Sequence, residues 1–518
     1  MSTRERMQRP LQLDPRMTPG DALFWFSEAA VPHLRMHVAA LFMLDRAPDP
    51  ERFRAAMERL VAMVPRFHQR VVADVVPFEL PRWEDDPAFD LEYHLREIRV
   101  PGPPNEDELF AFVGPEIATP LDRDRPLWEG YLIPELADGR AAYLLKLHHS
   151  MMDGVGSVAM FEALTQGSRD EAIHVPRPAA ARHAEASVAQ RALTAAGDGV
   201  QAVASLLGRA LRAVQTVMND PVAVAAESVR AAAGVAEMLR EVSAPAGDPL
   251  CERATGVGRR VSGLTLPLPR MRALKEVLGV TLNDLALTIV SGAVGRYYAE
   301  HRIRAEELAC VVPVNVREEK ERYALGNRVG TIVVRLPIGE KDPLIRLDRI
   351  RSQTARAKSQ RAASSFQFVV DAAARVPAPL IRLAAEAGRG RYQLVCTNVP
   401  GPATTRYIGG ARMDTVYPFA PVFLGIPIAV ALFSVGDTYA VGVASDPAAV
   451  PDPSAIRNSI AEIVDDLERR VGGRPAPRTR TPRLRQPARS HTKRRAAPPA
   501  TEEAPLPEDA ANVHEEPA

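Results

Sequence analysis

The sequence predicts an α/β protein of two large domains joined by a helical segment and followed by a charged tail. Three observations carry this. The chain has 518 residues, and a single hydrophobic core rarely grows past about 250 to 300 residues. Strand patterns of period two and helix patterns of period 3.6 are mixed through both halves, as helices layered on sheets require. Between the halves, the composition shifts to Ala, Arg and Val with helical spacing. The units are therefore 1–173, 174–249, 250–472 and 473–518.

Lys and Arg number 65 against 64 Asp and Glu, so no bulk charge asks for nucleic acid as a partner. Cys251, Cys310 and Cys396 are widely spaced, which fits free thiols in a reducing compartment. Residues 1–16 are charged and lack an apolar core, so no secretion signal is expected.

In the first unit, residues 17–26 pass from turn formers into an apolar, aromatic run that reads as a helix start packed on the core. Residues 37–45 read as a strand. Asp49 caps a helix through Val64, with Phe53, Met57, Leu60 and Val61 on one face. A strand over 66–76, a helix over 106–117 and a strand over 129–133 follow, with Trp128 read as packing.

The chemistry concentrates in residues 143–157. Tyr143, Leu145 and Leu147 alternate as a half-buried strand that ends in His148-His149, and Asp153-Gly154 then leads into a helical run. Histidine takes and returns a proton near neutral pH, so one of the pair is the natural general base. Asp153 can fix the turn or an imidazole, and Gly154 permits a backbone conformation that other residues resist. No third ligand is suggested nearby, so no metal is expected.

In the connecting segment, Val200, Val203, Leu206, Leu207, Leu211, Val214 and Met218 recur at helical spacing before Pro221 interrupts the pattern. Helices docked on the body and a lipid-surface contact are its two readings.

The second unit opens with a strand over 259–266 and helices over 269–276 and 282–301. Asn283 and Asp284 either cap the second helix or reach into a cleft. Strands follow over 311–317 and from 326, then a basic helix over 344–374 and a strand over 394–402 closed by Pro-Gly-Pro. Residues 415–436 are 22 residues without a charge, the length of a membrane span. Pro418, Pro421, Gly425 and Pro427 would break such a helix, so the stretch reads as buried loop and strand, with a hairpin into 439–445. Residues 453–470 form an amphipathic helix with Ile456, Ile460, Ile463 and Val464 on one face. The tail carries nine Lys/Arg and no acid over 474–495, then six Asp/Glu and no Lys or Arg. Such composition predicts disorder, and attraction to anionic lipid or to nucleic acid would reside there.

The run His148-His149-x-x-x-Asp153-Gly154 is the signature of acyl-CoA-dependent acyltransferases, a group that includes the condensation domains of peptide synthetases. Around it stand Pro19-Gly20-Asp21-Ala22-Leu23-Phe24, Pro126-Leu127-Trp128, Asn283-Asp284, Pro313-Val314-Asn315-Val316-Arg317, Gly326-Asn327 and Asn398-Val399-Pro400-Gly401-Pro402. In that order they make the chain resemble the bacterial wax ester synthase/diacylglycerol acyltransferase family over residues 17–471. The resemblance implies two chloramphenicol acetyltransferase-like domains with a tunnel between them. It implies acyl-CoA as co-substrate, no cofactor, and diacylglycerol or a long-chain alcohol as acceptor. It also implies His149 as general base, His148 as a backbone brace and Asn283 as an oxyanion donor. Asp153 would order the loop, through an ion pair with a buried arginine such as Arg317. Lipid substrates imply a cytoplasmic protein at the periphery of the plasma membrane's inner face or of lipid droplets. Two alternatives stay open: a condensation-type enzyme using a carrier-protein thioester, and a non-catalytic lipid-surface protein, which has no evident need for the intact motif. Acceptor choice, chain length and oligomeric state are not legible.

Overall fold

In the computed structural model, residues 10–11, 13–31, 34–73, 80–99, 102–151, 154–176, 248–315, 329–359, 389–422 and 425–472 are described. The expected connecting helices and the tail lie outside them. Helix α1 (Pro19–Ala30) leads through strand β1 (His37–Leu44) into α2 (Pro50–Met63), β2 (Gln69–Val72) and β3 (Arg82–Asp85). Then come α3 (Leu91–His94), β4 (Leu95–Glu97), α4 (Glu106–Ala118), β5 (Trp128–Ile133), β6 (Ala141–His148) and α5 (Gly154–Leu164). The second half runs α6 (Pro249–Arg253), β7 (Arg260–Pro267), α7 (Leu268–Leu278), α8 (Leu282–Glu300), β8 (Leu308–Asn315), β9 (Val329–Leu336) and α9 (Pro343–Ser359). It closes with β10 (Leu394–Val399), β11 (Tyr407–Ile408), β12 (Ala411–Phe419), β13 (Ile428–Val435), β14 (Thr438–Ser445) and α10 (Pro453–Arg470).

The α/β expectation holds as two six-stranded mixed sheets, ordered β11-β12-β1-β6-β5-β4 and β7-β14-β13-β10-β8-β9. Local chemistry starts the helices as read. The Asp49 side chain accepts the Arg52 N–H at 2.9 Å to cap α2, and Asn105 with Glu108 forms a capping box on α4. The apolar stretch 415–436 contributes to β12 and β13. Among the described residues, no single helix is long and apolar enough to cross a membrane.

Two readings change. The strand expected over 66–76 is a short 3₁₀ turn (Pro65–Phe67) followed by β2. Pro65 fixes the turn's first residue, and Arg66 leaves the strand direction to lie 4.7 Å over the Trp83 ring. More consequentially, β11 and β12, expected with residues 250–472, belong to the first sheet. β12 pairs antiparallel with β1 from Ala39↔Phe419 onward, satisfying an edge of β1 that would otherwise carry unpaired backbone groups.

β12 also welds the two sheets. Tyr417 and Phe419 share one buried cluster with Phe110 and Val113 of α4, Val261 of β7 and Ala440 of β14. A Cβ on Gly442 of β14 would lie 1.9 Å from the Pro418 carbonyl oxygen. Only glycine lets the two backbones meet there.

Candidate active site

Strand β6 is buried along its whole length and runs between β1 and β5. Its last residue, His148, stands opposite His37 of β1, and its N–H donates to the Leu127 carbonyl at 2.9 Å. The chain then leaves the sheet in a 3₁₀ turn, His149–Met151. The His149 N–H donates to the Met36 carbonyl at 2.7 Å. The turn is therefore pinned from both sides, by Leu127 of the Pro-Leu-Trp run and by the residue before His37.

The His148 ring closes the turn on itself. Its Nδ1 accepts the Ser150 N–H at 3.2 Å and lies 2.7 Å from the Ser150 hydroxyl. An Nδ1 that accepts leaves the ring proton on Nε2. That Nε2 faces the carboxylate of Glu28 from α1, 3.2 Å from Oε2 but off the N–H axis. The other oxygen, Oε1, lies 3.7 Å from Nε2 of His37, whose Nδ1 donates to the Ile117 carbonyl at 3.0 Å. Glu28 also takes the Met36 N–H at 2.9 Å. One buried carboxylate thus touches both histidine rings and the backbone that anchors His149.

Burial pulls the His148 ring down to about 4, against the upward pull of Glu28. Burial would raise the Glu28 carboxyl, but the His148 and His37 side chains outweigh it and hold Glu28 well below the usual carboxylate range. Helix α1 is clamped in turn by Arg123, whose guanidinium lies 3.3 Å over the Trp25 ring and donates to the Trp25 carbonyl at 3.2 Å.

His149 projects from the turn as a half-buried ring packed on Phe24, with centroids 4.6 Å apart. Among the described residues its Nδ1 is buried without a hydrogen-bond partner, and burial lowers its pKa below the ordinary histidine value. The ring is accordingly the free base at neutral pH.

Of the residues singled out in the sequence, the fold brings His148 and His149 together, with Gly154 opening α5 a few residues on. Asp153 and Arg317 lie outside the described residues. Asn283 sits half-buried in the first turn of α8, and no hydrogen bond joins it to a described residue. Asp284 takes the capping alternative: it forms a capping box with Thr281 and accepts the Thr354 hydroxyl at 2.7 Å. Among the described residues, no three His, Cys, Asp or Glu are grouped to hold a metal ion. Glu28 and His37 were not singled out, and Phe24 only as the end of the Pro19–Phe24 run. The available signal was a carboxylate at helical spacing from Phe24 and Trp25, on the face of α1 read only as core.

Residues 17–286 match the family model described as wax ester synthase/diacylglycerol acyltransferase catalytic domain. Residues 325–468 match the WS/DGAT C-terminal domain. A probable diacylglycerol O-acyltransferase of Mycobacterium tuberculosis is 30% identical over 460 residues, covering 87% of this chain and 95% of that protein. A second, putative diacylglycerol O-acyltransferase of Mycobacterium tuberculosis is 29% identical over 480 residues, 90% of this chain and 94% of that one. Among solved structures, a wax ester synthase/diacylglycerol acyltransferase from Marinobacter aquaeolei VT8 superposes with TM-score 0.60 at 23% identity, covering 88% of this chain and all (100%) of that one. The first condensation domain of the calcium-dependent antibiotic synthetase superposes with TM-score 0.57 at 17% identity, covering 89% and 96%. The two structural likenesses establish the fold.

Proposed function

The chain belongs to the wax ester synthase/diacylglycerol acyltransferase family and is an acyltransferase, and from that premise we propose that it esterifies a lipid hydroxyl with a long-chain acyl group taken from acyl-CoA. The acceptor is diacylglycerol, in line with the names of its relatives, or a long-chain alcohol.

His149 is the general base. It takes the proton of the acceptor hydroxyl as that oxygen attacks the thioester carbonyl. The tetrahedral intermediate collapses with cleavage of the C–S bond, and the imidazolium returns the proton to the departing thiolate. No acyl-enzyme forms, and no cofactor is needed beyond the co-substrate. The observation that carries this is a free-base ring held at a pinned strand end, with its Nδ1 buried and its flank on Phe24. His148 and Glu28 hold the turn, and apolar packing keeps water from the thioester. Asp153 and Arg317 are assigned loop ordering on the family's pattern, and Asn283 remains the proposed oxyanion donor; such a donor is worth about 3 kcal/mol.

The test is release of free CoA thiol from palmitoyl-CoA with dioleoylglycerol, hexadecanol or no acceptor. Release that depends on one acceptor and is lost in His149→Ala supports the reading and names the acceptor class. Folded protein that releases no thiol with either acceptor overturns it. The lipid substrates place the protein, in this proposal, at the periphery of a membrane or lipid droplet in the cytoplasm. Failure to float with liposomes loaded with diacylglycerol would remove that part.

A further inference from the structure

A cavity of about 1000 Å³ opens between α4 and the start of β7, walled by Arg35, Thr119, Arg260, Ser262, Asp452 and Arg457 among others. Two of its wall residues are close chain neighbours of residues that hold the histidine turn and His37. Arg35 precedes Met36, whose carbonyl holds the His149 N–H, and Thr119 follows closely on Ile117, whose carbonyl takes the His37 proton.

Most of its charged groups are already engaged. Arg457 pairs with Asp107 at 2.7 Å. Arg259 donates to the carbonyls of Gly256, Gly258 and Val422. Asp452 caps α10 through the Ser454 N–H at 3.0 Å. Three groups are left over. Arg35 gives one N–H to the adjoining Leu34 carbonyl at 2.9 Å, and neither it nor Arg260 forms an ion pair with a described residue. The Ser262 side chain is buried, 3% exposed, and its hydroxyl has no hydrogen-bond partner among the described residues. A buried hydroxyl without a partner is costly, and a ligand amide or carbonyl would relieve it. Two guanidiniums without a carboxylate partner suit phosphate oxygens, which such groups can grip in bidentate fashion. The combination asks for a ligand with an anionic end and an amide-bearing stem.

We propose that this cavity holds the carrier arm of the acyl donor, with the pantetheine chain of CoA against Ser262 and its phosphates against Arg35 and Arg260. The proposal rests on the acyl-CoA reading above and adds to it the face from which the thioester approaches His149.

The experiment compares palmitoyl-CoA with palmitoyl-pantetheine, which keeps the amides and lacks the phosphates, as donors to the acceptor identified above. Removal of two charge-assisted contacts in Arg35→Ala/Arg260→Ala should lower the kcat/KM preference for palmitoyl-CoA over palmitoyl-pantetheine about tenfold or more. Ser262→Ala should lower kcat/KM for both donors and leave their ratio alone. Titration calorimetry with free CoA reads the same arginine pair without turnover, and its Kd should rise by a similar factor. An unchanged preference and an unchanged Kd in the arginine variant, with a wild-type melting curve, overturn the proposal. Wild-type protein that turns over neither donor sinks the transferase reading instead, while the calorimetric arm still decides the cavity.

Discussion

Glu28→Gln is the most informative single change, because it keeps the shape of the side chain and removes what the histidines need. In the wild-type protein the carboxylate is an acceptor only. It stands 3.2 Å from His148 Nε2 and takes the Met36 N–H at 2.9 Å, which is compatible with His148 carrying its proton on Nε2 and accepting the Ser150 N–H on Nδ1. Both contacts fall on one oxygen, Oε2, so a glutamine can keep them and place its NH₂ where Oε1 stood, beside His37 Nε2. What it loses is the charge: the acceptor drops from charge-assisted to neutral strength, about 1 kcal/mol. Expressed at the His149 turn, that becomes a fall of roughly fivefold in kcat/KM, with the His148 tautomer kept. Global stability should change less than in Glu28→Ala, because the amide still accepts the Met36 N–H. Thiol release measures the rate, and two-dimensional imidazole ¹⁵N spectra of histidine-labelled protein report the tautomer. Wild-type kcat/KM, or a His148 ring that carries its proton on Nδ1, would refute the reasoning.

Other perturbations probe separate links. His149→Ala should cost about 10²- to 10⁴-fold in turnover with the melting curve preserved, and turnover within a factor of two of wild type removes it as the base. Because burial lowers the His149 pKa, the acid limb of kcat/KM should fall below the ordinary histidine value of 6.5; a limb at or above 6.5 contradicts that lowering. His148, held at about 4 against an ordinary 6.5, takes up its proton in the unfolded chain before it does so in the folded one. Stability should therefore be fully present above pH 6.5 and fall as pH drops toward 4, by about 3 kcal/mol from this group. Urea titrations at pH 7.5 and 5 measure it, and His148→Asn should flatten the slope. In Gly442→Ala, a Cβ lying 1.9 Å from the Pro418 oxygen should destabilise the weld between the sheets by about 3 kcal/mol, the upper range for overpacking; an unaltered thermal melt would show that the strands can part cheaply.

The chemistry was legible in the sequence because it is local. His148 and His149 end a strand whose period-two pattern is visible, and the element starts at Asp49 and Pro453 follow from caps and apolar spacing within a few residues. The family followed from an ordered set of short motifs. Tertiary structure alone decided what reaches those histidines and what closes their sheet. Glu28 lies far along the chain from His148, and nothing in residues 17–30 distinguishes a carboxylate that solvates a helix from one that a second strand's histidines will surround. β12 likewise reads as a plausible strand of the half in which it is encoded. It pairs with β1 because that strand's edge needs partners, and glycine at 442 then lets β14 of the second sheet come up against it. Pattern within a segment fixes which face is apolar, whereas the choice of neighbour depends on long-range pairing energies that no local spacing records.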